Sequence, residues 1–134
     1  MFLSHLSNSS KELFLKLCIN AAKANNVVEE QEQAIIEAYC HEMNVPYLNN
    51  FETVPFDALL SQIKELPTVE KKIIIFEILA LMKADNVYDS DEIQFINKLA
   101  NACGFSEKSI EKYMDLLNTY TSLCKILYKD ILDE

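Results

Sequence analysis

Two stretches of this chain, one beginning at residue 23 and the other at residue 83, carry nearly the same acidic sequence. The first is KANNVVEEQE at 23–32, and the second is KADNVYDSDE at 83–92. Around each stretch, apolar residues recur every three or four positions, which is the period of an amphipathic helix. Each copy therefore predicts a helical hairpin with an acidic turn. Because one hairpin cannot bury its own apolar side, we expect the two hairpins to pack together.

The chain has few of the residues that a turn-rich β fold needs. Its 134 residues include one glycine and three prolines. Long segments without such residues are typical of helices. The pattern predicts a single all-α domain over 1–134, an orthogonal multi-helix bundle of about six or seven helices. Its two pseudo-repeated hairpins are expected at about 9–45 and 68–105.

Helix boundaries follow from capping signals in the sequence. Ser9 and Glu12 match the S-x-x-E capping box of a first helical turn. Gly104 is placed to end a helix in the left-handed conformation. A break is expected near 119–122, where β-branched and hydroxyl residues lower helix preference. The predicted helices cover about 9–25, 29–43, 55–65, 68–86, 89–103 and 106–132.

The charge of the chain excludes some classes of partner. The net charge is −9, and all twelve basic residues are lysine. This balance opposes binding to nucleic acid or to an anionic membrane surface, and arginine, the preferred phosphate ligand, is absent from the sequence. No lysine lies between Lys23 and Lys64, whereas seven acidic residues do. That stretch is either a solvated acidic face or a surface for cations or a basic partner.

Cysteine usage and hydropathy indicate a cytoplasmic, soluble chain. Cys18, Cys40, Cys103 and Cys124 form no C-x-x-C pair, and three of them lie inside apolar helical runs, so we expect buried reduced thiols. The most apolar run, IIIFEILALM at 73–82, has half of the roughly twenty residues that a membrane-spanning helix requires. No secretory signal is visible, and no membrane insertion is expected.

The two acidic turns resemble those of the TerB-like family, named for a tellurite-resistance protein. That family carries the pattern A-D-G-x-x-x-x-x-E between two helices; this chain has ADNVYDSDE and ANNVVEEQE. Asn26 and Asn86 replace the glycine, and Asn25 replaces the aspartate in the first copy. The resemblance implies an all-α domain associated with stress or tellurite resistance. It also implies metal interactions through the acidic residues, and no known catalysis.

Helix capping is one interpretation of the acidic turns. Asn26 and Asn86 can adopt the left-handed conformation that ends a helix, so both are expected to have positive φ. Asp89 is a suitable N-cap, and Glu92 stands three positions later, where a capping-box carboxylate belongs. Glu32 occupies the corresponding position in the first copy.

A divalent-cation site is the other interpretation. Asp85 falls at a helix C-terminus, where the helix dipole disfavours an anion, and Asp91 is not needed for capping. Hard cations bind several carboxylate and carbonyl oxygens at close range. The candidate metal ligands are Asp85, Asp89, Asp91 and Glu92, with Glu29, Glu32 and Glu77 as secondary candidates.

Glu77 stands inside the most apolar predicted helix. Its neighbours three and four positions away are apolar, so its own helix offers no cationic partner. It lies either on a narrow exposed edge of the helix or in the interior, where a buried acid is a candidate functional residue.

No sequence motif indicates catalysis. The chain has no glycine-rich phosphate loop, nucleophile elbow or metalloprotease helix motif. The sequence therefore predicts a non-enzymatic TerB-like binding or scaffold module that responds to a divalent cation. The alternative is a protein-interaction module with a basic partner and no metal. Other proteins are the expected partners, and the oligomeric state, a homodimer included, is left open.

Overall fold

The computed structural model describes residues 1–22, 30–47, 54–82 and 90–133. Within these ranges the chain is helical and contains no strand, which confirms the predicted all-α class and helical bundle. A 3-10 helix, Leu3–His5, precedes six α-helices. These are α1 at Asn8–Ala22, α2 at Glu30–Met43, α3 at Phe56–Ile63, α4 at Thr68–Met82, α5 at Ser90–Cys103 and α6 at Glu107–Leu132.

Helix α4 is the centre of the bundle. It packs against α1, α5, α6 and the 3-10 helix. Its buried side chains, which include Ile73, Ile74, Ile75 and Ile78, cover about two thirds of the circumference of the helix at 100° per residue, and the remaining side carries the exposed Val69. A helix that is apolar over most of its circumference is stable only when other elements surround it. The rest of the fold is therefore arranged around α4.

The helix bounds follow the spacing of the two repeated turns. Helices α1 and α4 begin at residues 8 and 68 and end at residues 22 and 82. Helices α2 and α5 begin at 30 and 90 and end at 43 and 103. The starts of α1 and α4 and the ends of α2 and α5 thus keep the same offset of sixty residues, while the pseudo-repeat of two hairpins stays a prediction.

The second helix of each hairpin ends in the same way. Gly104 has φ 77°, as predicted, and the Phe105 N–H donates to the Ala100 carbonyl at 2.9 Å. Asn44 has φ 56°, and the Val45 N–H likewise donates to the carbonyl five residues before it, at 2.9 Å. These hydrogen bonds define the Schellman motif that ends a helix. The sequence analysis predicted the left-handed helix end at Gly104 but not the one at Asn44.

Helix α6 is continuous, so the predicted break near residues 119–122 is wrong. The Thr119 hydroxyl donates to the Asp115 carbonyl at 2.9 Å, one helical turn earlier. This bond satisfies the hydroxyl without taking the backbone out of the helix.

The predicted capping box at the start of α1 is also wrong. The helix begins at Asn8, and the Ser7 hydroxyl accepts from the Ser10 N–H at 3.4 Å. Glu12 instead pairs with Lys16 at 3.2 Å, one turn along the same helix. The carboxylate that meets this helix start is Glu70 of α4. It accepts from the Ser7 N–H at 2.8 Å and from the Ser10 hydroxyl at 2.9 Å.

Replacing Glu70 with Gln tests this contact between helices. Burial by itself raises the pKa of Glu70, but the hydrogen bonds from Ser7 and Ser10 outweigh it and hold the pKa below its ordinary value. The contribution to stability is therefore present above about pH 4.3, the ordinary pKa, and is lost as the pH falls through the lower pKa of the folded state. We expect Glu70→Gln to lower the free energy of unfolding by about 1 kcal/mol at pH 7.

Urea denaturation at pH 7 and at a pH below the folded-state pKa of Glu70 measures this effect. The difference between Glu70→Gln and the unmodified chain should shrink to a few tenths of a kcal/mol at the lower pH. Glu111→Gln, at an exposed position of α6, is the matched control and should have little effect at either pH. A loss of the same size at both pH values would contradict the proposed role of the Glu70 charge.

Candidate functional site

The predicted metal site is only partly within the described residues. Asp85 and Asp89 lie outside them, whereas Asp91 and Glu92 lie in the first turn of α5. Asp91 is exposed, and Glu92 is buried. Among the described residues, no group of three or more His, Cys, Asp or Glu side chains is placed to hold a metal ion. The cation site at 85–92 stays a prediction.

The first acidic turn is likewise incomplete. Asn26 and Glu29, and Asn86 of the second turn, lie outside the described residues, so their predicted conformations and roles are not tested. Glu32 is half-buried in the first turn of α2. Both α2 and α5 carry acidic residues in their first turns, a position in which the helix dipole stabilises an anion.

Glu77 is buried, with 3% of its surface exposed, so it does not lie on an exposed edge of α4. Its carboxylate accepts from the Phe2 N–H at 3.1 Å and lies 3.1 Å from the Met1 amino group. Glu42 of α2 approaches the same segment, 2.9 Å from the Met1 amino group, and accepts from the Leu3 N–H at 3.0 Å. The two carboxylates therefore hold the N-terminal segment against α2 and α4.

Sequence reasoning missed these partners of Glu77 because they are far away in the chain. It compared Glu77 only with residues one helical turn away, whereas Phe2 lies 75 positions earlier. A buried carboxylate that has hydrogen-bond donors around it needs no bound ligand to account for its burial. Glu77 is thus an anchoring residue for the N-terminal segment.

The cysteines near this anchor are protonated thiols. Burial first, and then the negative charge of Glu77, raise the pKa of Cys18 well above its ordinary value. Burial also raises the pKa of Cys40, and it raises that of Cys103 to about 11. Only the thiolate is a strong nucleophile. These three side chains therefore behave as small apolar residues of the core, as the sequence analysis expected.

An apolar groove of about 370 Å³ lies between the N-terminal segment, α4 and α6. Phe2 and Phe76 meet edge to face at 5.8 Å between ring centroids, and Phe76 meets Tyr113 in the same way at 6.0 Å. Lys72 is the one charged side chain in the lining. We call this site the apolar groove; it is lined by Met1, Phe2, Val69, Lys72, Ile73, Phe76, Tyr113, Leu116 and Tyr120.

The apolar surface continues along α6 beyond the bundle. Leu117 is the buried residue of this helix, and after it every described position is exposed except Cys124, which is half-buried. Residues 118–132 extend about 22 Å at the helical rise of 1.5 Å per residue. One line of apolar residues runs along this part of the helix. We call it the α6 stripe; its members are Leu116, Tyr120, Leu123, Cys124, Leu127 and Ile131.

Sequence reasoning found neither surface. The residues of the apolar groove come from three elements that are distant in the chain, and no local pattern brings them together. The α6 stripe has the helical period of a core-facing side, so the sequence alone does not distinguish it from a buried one. The weak signal was the number of apolar residues near the end of the chain.

Comparison of the chain with protein-family models, with characterised protein sequences and with solved structures finds no match. In the described part of the chain, no helix has the length and apolar character needed to cross a membrane.

Replacing Glu77 with Leu tests its role as an anchor. The variant removes the acceptor of the Phe2 N–H and one of the two carboxylates beside the Met1 amino group. Because a partly buried donor then has no acceptor, we expect the free energy of unfolding to fall by about 2 kcal/mol. Amide hydrogen exchange at residues 2–6 should also become faster than in the unmodified chain.

The conservative variant Glu77→Gln keeps a side-chain oxygen that can accept from the Phe2 N–H. Its loss of stability should therefore be smaller than that of Glu77→Leu in the same thermal or urea melt. If Glu77→Leu were as stable as the unmodified chain, or more stable, the anchoring role would be wrong.

Proposed function

We propose that this chain is a non-enzymatic protein-binding module that holds an apolar helix of a protein partner on the apolar groove and the α6 stripe. The observation that carries the proposal is the continuity of these two surfaces. Leu116 and Tyr120 belong to both, so the groove leads directly onto the exposed side of α6. A helix seated in an apolar groove is a recurrent mode of protein recognition.

The extent of the apolar surface supports a binding role. Leu127 is 48% exposed and Ile131 is 71% exposed, and the other large members of the α6 stripe lie between these values. Monomeric proteins rarely expose contiguous apolar patches larger than a few hundred Å² unless the patch binds something. The groove adds Val69, which is 65% exposed, to the same surface.

The TerB-like resemblance suggests where such a module acts. It rests on the residues of the two acidic turns and on the all-α architecture, which has a helix before and a helix after each turn. On this resemblance we propose a role in the response to stress or to tellurite, as a scaffold that brings other proteins together.

A substitution in the groove tests the binding surface. Val69→Glu places a charge in the apolar groove, whereas Ile93→Glu places the same charge on an exposed apolar position of α5. The probe is the fluorescent dye 8-anilinonaphthalene-1-sulfonate, at a protein concentration at which sedimentation shows a monomer. We expect Val69→Glu to lose at least half of the dye fluorescence and Ile93→Glu to keep most of it.

Both variants change the net charge equally, so a difference between them reports on the groove itself. Both should unfold within a few tenths of a kcal/mol of the unmodified chain, since neither position is buried. If the unmodified chain gave no dye fluorescence, or if both variants lost it equally, the groove would not be the binding surface that we propose.

The cation-responsive form of the proposal concerns the turn at 85–92. The second acidic stretch, at 83–92, has Asp85 and Asp91 where the first, at 23–32, has Asn25 and Gln31. An amide is a weaker ligand for a hard cation than a carboxylate. Millimolar calcium, magnesium, manganese or zinc should raise the melting temperature by about 3–5 °C through mass action. Asp85→Asn should abolish most of this increase.

Helix capping gives the opposite result in the same melting experiment. Asp85→Asn is then neutral or mildly stabilising, because the capping interpretation predicts Asp85 at a helix C-terminus, where the dipole disfavours an anion. A matched increase in ionic strength with a monovalent salt is the control. If no divalent cation raises the melting temperature beyond that control, the cation-responsive form is wrong.

The second candidate function is an interaction module for a basic partner, with no metal. Exposed carboxylates at Glu30 and Glu37 of α2 and Asp57 of α3 favour it, and the sequence has no lysine between residues 30 and 63. Attraction between exposed charges is weakened by salt. This candidate predicts that divalent cations have no specific effect on the melting temperature.

A further inference from the structure

We infer that the α6 stripe binds a second copy of this chain, and that the two α6 helices pair in antiparallel orientation about a twofold axis between Leu123 and Cys124. This inference rests on the proposed function, because it names the partner of part of the same apolar surface. It follows from the spacing of the stripe, its position on the helix, its area and the length of helix that the bundle leaves uncovered.

The α6 stripe has the same spacing when it is read from either end. The intervals between successive members are 4, 3, 1, 3 and 4 residues, so the set is symmetric about its midpoint. A twofold interface uses the same patch on both copies, so that each contact occurs twice. An antiparallel pair centred at that midpoint brings apolar side chains together at every level. The facing pairs are Leu116 with Ile131, Tyr120 with Leu127, and Leu123 with Cys124.

The stripe is one side of the helix. At about 100° per residue its six members fall within roughly 100° around the helix axis, which is the width of a helix-packing face. The charged side chains Lys125, Lys129 and Asp133 fall on the opposite side, whereas Asp130 falls beside one edge of the stripe, about 20° from Leu123. Two such stripes can therefore meet with apolar side chains at the centre of the contact and Asp130 at its rim, where it stays accessible to water.

The area of the stripe is suited to a protein interface. Leu116, Tyr120 and Leu123 are 50%, 51% and 53% exposed. With Leu127 and Ile131, the stripe presents on the order of 600 Å² of surface, against about 800 Å² per partner in a standard specific interface. Because Ile131 of the second copy faces Leu116 at the groove, the end of its α6 supplies further contact there.

The length of uncovered helix also requires a partner. Isolated helices of about 12–15 residues are marginal in water, and most helical stability in proteins comes from packing. Residues 118–132 contribute no buried side chain, and they include Thr119, Thr121 and Ser122, which have weak helix propensity. Pairing with a second α6 supplies the packing that the bundle does not.

A bilayer surface is a less suitable partner than a second copy. Amphipathic helices at membranes carry a strongly basic polar side, which anionic lipids attract. Here Lys125 and Lys129 are accompanied by Asp130 and Asp133, and the whole chain has a net charge of −9. Neutral vesicles are nevertheless one arm of the test.

Sedimentation velocity of the full chain from about 1 to 100 µM is the first measurement. We expect a monomer–dimer equilibrium. Leu123→Glu places two carboxylates at the twofold axis and should weaken dimerisation at least tenfold. Ile126→Glu, at a position 64% exposed on the same helix but outside the stripe, carries the same charge and should change dimerisation less than threefold.

Cysteine cross-linking tests the orientation of the pair. In a Cys124→Ser background, one chain carries Leu116→Cys and a second carries Ile131→Cys. The three remaining cysteines are buried. The two chains are mixed and treated with diamide, which takes up the two protons and two electrons that two thiols release when they form a disulfide. An antiparallel pair then gives the mixed disulfide. A parallel pair gives the two homodimers.

Each outcome supports or overturns the inference. A concentration-dependent dimer that Leu123→Glu weakens selectively, together with the mixed disulfide, supports it. A monomer throughout, equal effects of Leu123→Glu and Ile126→Glu, homodimeric disulfides, or binding to phosphatidylcholine vesicles without dimerisation each overturn it. A monomer whose groove still binds the dye overturns self-pairing and leaves the proposed function supported, so the two failures can be distinguished.

Discussion

The burial of most of the apolar helix α4 is the constraint on which the rest of the structure depends. Its buried side chains cover about two thirds of the helix circumference, so α1, α5, α6 and the 3-10 helix must all lie against it. The cover is incomplete along Val69, Ile73 and Phe76, where the N-terminal segment and α6 approach α4 from different sides. The apolar groove is the space that remains between them.

The same helix supplies two of the polar contacts that fix the start of the chain. Glu70 and Glu77 stand two helical turns apart and accept from the backbone N–H groups of Ser7 and Phe2. A buried N–H group needs an acceptor, and a buried carboxylate needs donors. This requirement applies to the buried Glu77 carboxylate and the part-buried Phe2 N–H, whereas the bond between Glu70 and Ser7 is exposed. In the described part of the chain no buried side-chain nitrogen or oxygen lacks a partner. Within an apolar helix, these acids determine where the N-terminal segment lies.

The buried polar groups and the large apolar surface of the described residues lie in different parts of the molecule. The most deeply buried acid and thiol, Glu77 and Cys18, belong to the packing of the bundle, and burial keeps the thiol protonated. The large apolar surface, by contrast, is exposed, extends along a helix beyond the bundle and contains one charged side chain, Lys72, in its groove. Such a surface gains free energy by excluding water when another apolar surface covers it.

The sequence by itself determined the helical class and the left-handed end at Gly104. These features depend on residues within a few positions of one another, since helical period and capping are local. Only the tertiary structure decided that Glu77 is an anchor, that Glu70 meets the start of α1 and that α6 continues through residues 119–122. It also decided which apolar side of α6 is left uncovered. These outcomes depend on contacts between residues far apart in the chain, and whether an apolar stripe is buried depends on the helices that reach it.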